Sequence, residues 1–565
     1  MRFLTNLSRA GLALVFLAGG QAFAADADPG YAARAERALA PEQFLYQYLL
    51  SEIAAQRGEP TAAARGLMDL AARTRDAKVA RRAVEIAYQA GQPDTAREGA
   101  ILWLEIEPNS VMARQLLSRL AGGTHDATVA NLRSWLNEPR RAPTLLLQIP
   151  AMLARYPDKG RLLASTRELA ARYLSLPEAH FALAQAELYA SNASAAMASA
   201  EEALVLRANW APAAILKAQL LRERGENVAA DYLKSFLKNF PAESDVRLAY
   251  ARALVLQKNL RDAREEFRRV ATELPGDGEI AYAIGLLSQQ LGDAADAQTQ
   301  YQRVLTLNPN DPNPVWFNLG EVATVTKDVP AALSWYRKVT AGDYFVGAQL
   351  KMAALIAKRD GVAAGRKHLR LAREADANSP DTNVQLILAE AQLLRDNKAF
   401  VEAYAFLSDA VRATPDVPDL IYDRAMMAEK LNKFDTFEAD LKRVIALKPD
   451  HAHAHNALGY TLAEQGKRLD EAQQWIEKAI ALAPNDAFIQ DSLGWVQFRK
   501  GNREEALATL KKAYAARPDP EIAAHLGEVM HALGQRAEAH ALWRAALVEH
   551  PGNEIITGIM EKLKP

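Results

Sequence analysis

Residues 484–518 read PNDAFIQDSLGWVQFRKGNREEALATLKKAYAARP, a block bounded by Pro484 and Pro518. Leu493 and Gly494 fall on a first helix, Ala506 and Ala513 on a second, and Pro518 stops it. Small residues at such positions let two helices of a pair cross closely, and proline, which has no N–H, ends the second one. The pattern spreads outward from this block. Prolines at 241, 275, 309, 415, 449, 484, 518 and 551 recur at a period of about 34 residues or a small multiple of it. The inner marks return as Gly285, Ala297 and Val304, as Gly320, Ala332 and Val339, as Gly459, Ala472 and Ala479, and as Gly527, Ala539 and Ala546. The Gly459 block carries one extra residue near Arg468. Weaker copies hold Ala229, then Ala251, Ala263 and Val270, then Ala425 and Val444, and a further unit opens at Pro177 with Ala184, Ala196 and Ala203.

A helix-turn-helix of this length cannot bury its apolar face alone, so neighbours must stack. The period and its marks resemble the tetratricopeptide repeat (TPR). The expected fold is all-α, a right-handed superhelical solenoid whose inner surface is open to a partner. The length, 565 residues, agrees, because a solenoid grows by adding units where a single core would have to become unusually large. High alanine content favours helix, and no alternating β-branched run suggests a sheet.

The front of the chain reads as a targeting segment. Arg2 and Arg9 give a positive start, Ala10 to Gly20 a short apolar run, and Ala22-Phe23-Ala24 a small-x-small cleavage pattern. A cleaved signal peptide over 1–24 is expected, with a periplasmic mature chain from Ala25. The chain has no cysteine, so neither a lipid anchor nor disulfides are expected. Removing two arginines changes the formal charge from −1 to −1 − 2 = −3, a balance that argues against a nucleic-acid partner.

Organisation is uneven. The reading divides the chain into N-terminal helical repeats with a basic patch (25–108), irregular helical repeats (109–176), a TPR array (177–377) and a C-terminal TPR array (378–565). The first pair opens at Pro41, with Phe44, Tyr46, Tyr48, Leu49 and Ile53 as its apolar content. Gly122-Gly123 and prolines at 139, 143, 150 and 157 predict shorter helices in the second segment, and Asn378–Asp381 is a second weak point. Arg73, Arg75, Lys78, Arg81 and Arg82 form a tight cluster, either as a solvated face or as a docking patch for an acidic partner.

Signs of enzymatic chemistry are few. There is no Gly-rich phosphate loop, no His-Glu-x-x-His and no Gly-x-Ser-x-Gly elbow. His451 and His455 lie one helical turn apart, as two metal ligands would, but Pro449-Asp450 marks a turn and polar residues are ordinary at a helix start. His525, His531 and His540 have no carboxylate or serine at a diagnostic spacing. No catalytic residue, metal site or cofactor is expected.

Function should therefore lie on the inner surface, lined by the first helix of each pair. Helical spacing around the Leu-Gly mark selects Asn456 and Tyr460, then Asp491, Trp495, Phe498 and Arg499, then His525, Glu528 and His531. Asn and Arg hold a peptide backbone or carboxylate, and aromatic rings offer rigid apolar contact. The alternative for Tyr460 and Trp495 is packing between repeats.

The stretches NALGYTLAEQG (456–466), DSLGWVQFRKG (491–501) and AAHLGEVMHALG (523–534), with AARTRDAKVARRAVEIA (71–87), resemble the periplasmic TPR adaptors known as lipoprotein binding partner of the carboxyl-terminal processing protease. That resemblance implies an adaptor that binds and activates such a protease and presents substrates such as cell-wall hydrolases, the catalytic groups belonging to the partner. The missing lipid-bearing cysteine is a departure, and it leaves a soluble adaptor as the reading. The alternative is a scaffold for envelope polysaccharide export or outer-membrane assembly.

Overall fold

The computed structural model describes residues 41–375, 379–466 and 468–563. The expected signal peptide and the tail at Ala25–Gly30 lie outside these residues, as does Asn378 of the second weak point. Among the described residues every regular element is helical. The chain forms two compact units that follow one another at Leu307 and Asn308. The first carries helix pairs from Pro41–Gln56 to Ala294–Thr306, the second from Asn313–Val325 to Arg536–Glu549 with a closing helix Glu554–Lys562.

Each mark in the sequence has a packing cause. The glycine of a first helix faces a large side chain at a fixed later position on the second: Gly285 faces Tyr301, Gly320 faces Tyr336, Gly494 faces Leu510 and Gly527 faces Trp543. A Cβ on Gly285 would lie 2.7 Å from the Tyr301 ring, and one on Gly494 would lie 2.5 Å from Leu510 Cγ. Tyr301, Tyr336 and Trp543 are among the largest side chains that are wholly buried. Glycine is thus the cavity into which the second helix inserts its bulk, and close approach of the two helices follows. The alanine marks Ala297, Ala332, Ala472, Ala506 and Ala539 are all fully buried.

Turns repeat as regularly as helices. The first helix ends at a residue of positive φ, as at Gly91, Lys258, Lys327, Asn432, Gly501 and Gly534. The next backbone N–H then reaches back into the last turn: Asn259 N–H donates to Leu254 O at 2.9 Å, Asp328 N–H to Ala323 O at 2.9 Å, and Asn502 N–H to Gln497 O at 2.9 Å. This closure satisfies the carbonyls a helix end leaves open. Lys, Ser and Asn fill the left-handed position as well as Gly, which is why glycine alone does not mark these turns in the sequence. The extra residue near Arg468 is absorbed the same way. Arg468 takes φ 53° before the helix Leu469–Leu482, and Gly459 consequently faces Ile476, one place further along than in the other pairs.

The second helices end where the prolines predict. Phe240, Leu274, Lys448, Ala483, Arg517 and His550 each cap a helix in an extended or near-extended conformation. Each precedes a proline, whose ring disfavours helical backbone in the residue before it. The stretch from 109 to 176 keeps the pairing with short helices, Val111–Leu120, His125–Trp135, Ala142–Leu153 and Lys159–Ala170. Its core is not interrupted, since one buried cluster runs from Ala63 through Leu132, Ile149 and Leu162 to Ala186.

Candidate functional site

In the second unit, the first helices of four successive pairs, Pro418–Lys430, Ala452–Glu464, Ala487–Arg499 and Pro520–Ala532, together wall a cleft of about 200 Å³. Their starts are fixed locally. Asp486 accepts from Phe488 N–H at 2.9 Å and Ile489 N–H at 3.2 Å, and Asp519 accepts from Glu521 N–H at 2.9 Å ahead of Pro520 in the first turn. Capping thus sets the rotation at which Asp491 and Glu521 meet the cleft.

Asn456, Asp491 and His525 are one repeat position taken three times, the extra residue near Arg468 falling between the first two. Stacking brings them side by side. His525 Nδ1 lies 2.8 Å from Asp491 Oδ2, the His525 ring stacks on Trp495 at 4.3 Å between centroids, and Tyr460 Oη lies 3.5 Å from His525 Nε2. The sequence reading gave His525 no carboxylate at a diagnostic spacing. The structure corrects this: Asp491 sits one full repeat away, a spacing that only repeat stacking makes adjacent. Burial alone lowers the His525 pKa, but the Asp491 charge and hydrogen bond outweigh it and hold the imidazole above its ordinary value.

Three carboxylates line the cleft, Glu429, Asp491 and Glu521. Asn456, Tyr460, Thr461 and Ser492 add polar atoms, while Met426, Phe437, Ala457 and Phe488 give an apolar lining. Burial pushes the Glu521 carboxyl up, with Asp491 and Asp519 adding to the shift, and burial likewise pushes up Glu528 and the Tyr460 phenol.

The groove residues selected from the sequence therefore take four places. Asn456, Tyr460 and Asp491 line the cleft. Trp495 and His525 are buried, at 6% and 7% exposure, and support Asp491 from behind. Phe498 packs beside Trp495 at 5.4 Å, and Arg499 lies over the Trp495 ring at 5.8 Å while donating to Glu464 O at 3.0 Å. Glu528 and His531 are half-buried on Pro520–Ala532 and do not line the cleft. Glu429 and Glu521 escaped the sequence reading, because one ends a helix and the other opens one, where acids are common. Their signal was a position one turn from the groove set on neighbouring repeats.

The basic cluster is largely matched from within. Arg73 pairs with Asp69, Arg81 Nε with Glu85 at 2.8 Å, and Arg82 grips Glu52 through two bonds of 2.7 and 2.8 Å. Arg75 donates to Glu105 O at 2.6 Å. An acidic partner there would meet Lys78 and the outer face of Arg75 rather than five free cations.

The histidines at 451 and 455 serve the fold. His451 caps its helix by accepting from Ala454 N–H at 3.1 Å, and His455 Nε2 lies 3.0 Å from Pro449 O with its ring against Trp475. His453 is exposed.

A second surface lies on the first described helix. On Pro41–Gln56 it is Phe44 and Tyr48 that pack inward, while Leu45, Tyr46, Leu49, Leu50 and Ile53 form an exposed stripe, Tyr46 being 67% exposed. Tyr46, Leu49 and Ile53 thus do not belong to the core of the first pair. No helix among the described residues is long and apolar enough to cross a membrane.

Comparison with known proteins adds three kinds of likeness. Residues 215–278, 282–344, 422–487 and 492–554 match a family model described as tetratricopeptide repeat. Over 490 residues the chain is 32% identical to the TPR repeat-containing protein PA4667 of Pseudomonas aeruginosa, across 86% of this chain and 82% of that protein. Among solved structures, MamA 41-end from Desulfovibrio magneticus RS-1 matches at 19% identity and a TM-score of 0.26, over 30% of this chain and 96% of its own. The Pseudomonas aeruginosa pilF structure matches at 17% identity and 0.29, over 41% and 99%. The APC/C hetero-tetramer Cut9-Hcn1 matches at 15% identity and 0.29, over 79% and 95%.

Proposed function

The chain belongs to the tetratricopeptide-repeat family, and from that premise we propose that it is a soluble periplasmic adaptor that binds and activates a carboxyl-terminal processing protease and presents protein substrates such as cell-wall hydrolases to it. The coarser role, a scaffold for protein–protein interaction, is the one this repeat family serves, and such scaffolds are generally not catalysts. The finer role rests on the stretches at 71–87, 456–466, 491–501 and 523–534 that resemble protease adaptors.

The observation that carries the reading is the cleft itself. First helices of three successive repeats carry one aligned row, Asn456, Asp491 and His525, the first two lining a cleft with room for a side chain of an extended segment of another protein. The exposed apolar stripe on Pro41–Gln56 is a further surface of the kind a protein partner covers.

The test is reconstitution. Residues 25–565 are added to a purified carboxyl-terminal processing protease with a cell-wall hydrolase as substrate. Faster hydrolase cleavage, together with co-elution of adaptor and protease, is the expected result. Unchanged cleavage and separate elution would overturn the protease role, and recovery of polysaccharide-export or outer-membrane assembly proteins from periplasmic extract would replace it.

A further inference from the structure

We infer that the cleft between Pro418–Lys430, Ala452–Glu464, Ala487–Arg499 and Pro520–Ala532 seats one lysine or arginine side chain of an extended partner segment. The inference rests on the adaptor reading and names the chemistry its occupant must have.

The first ground is charge. Glu429, Asp491 and Glu521 line the cleft and no lysine or arginine does. Two nearby cations offset part of that charge, His525 on Asp491 Oδ2 and Lys430, whose Nζ stands 3.7 Å from Glu429 on the exposed rim, while Arg499 is turned away to Glu464 O, so Glu521 and the second oxygen of Asp491 stay open. Outside the lining, burial pushes the Glu528 carboxyl up and the Glu464 charge adds to that shift.

The second ground is an acceptor left open. Asp491 is only 3% exposed, yet its Oδ1 is buried without a hydrogen-bond partner. Asn456 Oδ1, also on the cleft, is buried and unpartnered too. Buried acceptors of this kind are costly unless a donor arrives, and a carboxylate and an amide oxygen together suit an ammonium or guanidinium.

The third ground is size and lining. A volume of about 200 Å³ falls below the roughly 300–1,000 Å³ of small-molecule pockets and fits a single side chain. Met426, Phe437, Ala457 and Phe488 offer an apolar path for the aliphatic stem, and Tyr460 adds an aromatic ring to the lining. Among the described residues no group of three His, Asp or Glu converges closely enough to hold a metal ion, which favours a cation carried on a stem.

The experiment uses the full mature chain and two peptides, acetyl-Ala-Ala-Lys-Ala-Ala-amide and the same peptide with norleucine in place of lysine, titrated at low salt with binding read by saturation-transfer NMR. The lysine peptide should bind about ten-fold more tightly, and Glu429→Gln with Glu521→Gln should abolish that preference while circular dichroism stays unchanged. Both positions are only partly buried, so the test does not depend on disturbing the buried Asp491–His525 pair. A single Glu521→Gln variant, expected to lose part of the preference, serves if the double variant misfolds. Equal binding of the two peptides, no binding of either, or an undiminished preference in the variants overturns the inference. The adaptor reading is judged separately, by protease stimulation: a protein that stimulates cleavage without lysine preference keeps the function and loses this site.

Discussion

At Gly494 the repeat is decided by the absence of one carbon, since a Cβ would press on Leu510 Cγ at 2.5 Å. Gly494→Ala should therefore destabilise its helix pair by about 2 kcal/mol through overpacking, as measured by hydrogen exchange in Ala487–Arg499. Adding Leu510→Ala should recover part of that loss, because it vacates the contested space; a double variant no better than the sum of the singles would remove the explanation. His525 gives a pH test. Its pKa is raised in the folded state by Asp491, so its contribution is fully present below the ordinary imidazole value of about 6.5 and is lost as pH rises through the folded value. Glu521 and Glu528, also raised, act in the same sense, their contribution lost as pH rises through their own folded values. The opening free energy of Ala487–Arg499 and Pro520–Ala532 should thus fall from pH 5 to pH 8, and Asp491→Asn should flatten the part due to His525. A slope of opposite sign would contradict this assignment. Of these residues, Asp491 and His525 were selected from the sequence as groove positions. Their pairing was not, because sequence spacing reports neighbours along a helix and the partner lay on the next repeat.

At the scale of the element, the turn between the two helices of a pair is set by a left-handed residue and a hydrogen bond back into the helix it ends. Lys258 and Lys327 hold φ of 61° and 63°, where a Cβ is unfavourable. Lys258→Gly or Lys327→Gly should stabilise the local pair by roughly 0.5 kcal/mol, because relief of about 1–2 kcal/mol at the left-handed position outweighs the greater freedom of glycine in the unfolded chain, and urea unfolding followed by exchange in the flanking helices checks it. A buried ion cluster makes the opposite case. Glu390, fully buried on Pro380–Asp396, holds Arg366 at 2.9 Å with Arg373 at 3.5 Å and Arg370 at 3.8 Å. Glu390→Ala leaves those partly exposed cations without their shared partner and should cost about 2 kcal/mol, seen as faster exchange in Pro380–Asp396 and in Val362–Ala375. Helices and their stops were legible because proline, small residues and alanine act over a few positions. Which face of Pro41–Gln56 turned inward was not, since Phe44, Tyr46 and Tyr48 are all aromatic and only the neighbouring helix chooses among them.

For the whole molecule, stability is expected to be local and additive, as in other stacked repeats. Each unit has buried clusters of its own, including Ala63 to Ala186 in the first and Ile387 to Val496 in the second. Residues 308–565 expressed alone should therefore remain helical and unfold cooperatively, and a fragment without a thermal transition would show that the unit depends on the rest of the chain. The sequence by itself determined the all-α repeat, its period, its stops and the helices that carry the groove, because each of those follows from a residue's effect on the few positions around it and the effect recurs with every repeat. Only the tertiary structure decided that Trp495 and His525 lie behind the cleft, that Glu429 and Glu521 line it with Asp491, and that Arg73, Arg81 and Arg82 of the basic cluster are paired with acids of the chain itself. Those outcomes depend on the rotation of one repeat against the next, which sums many small packing preferences and places in contact residues that no local pattern relates.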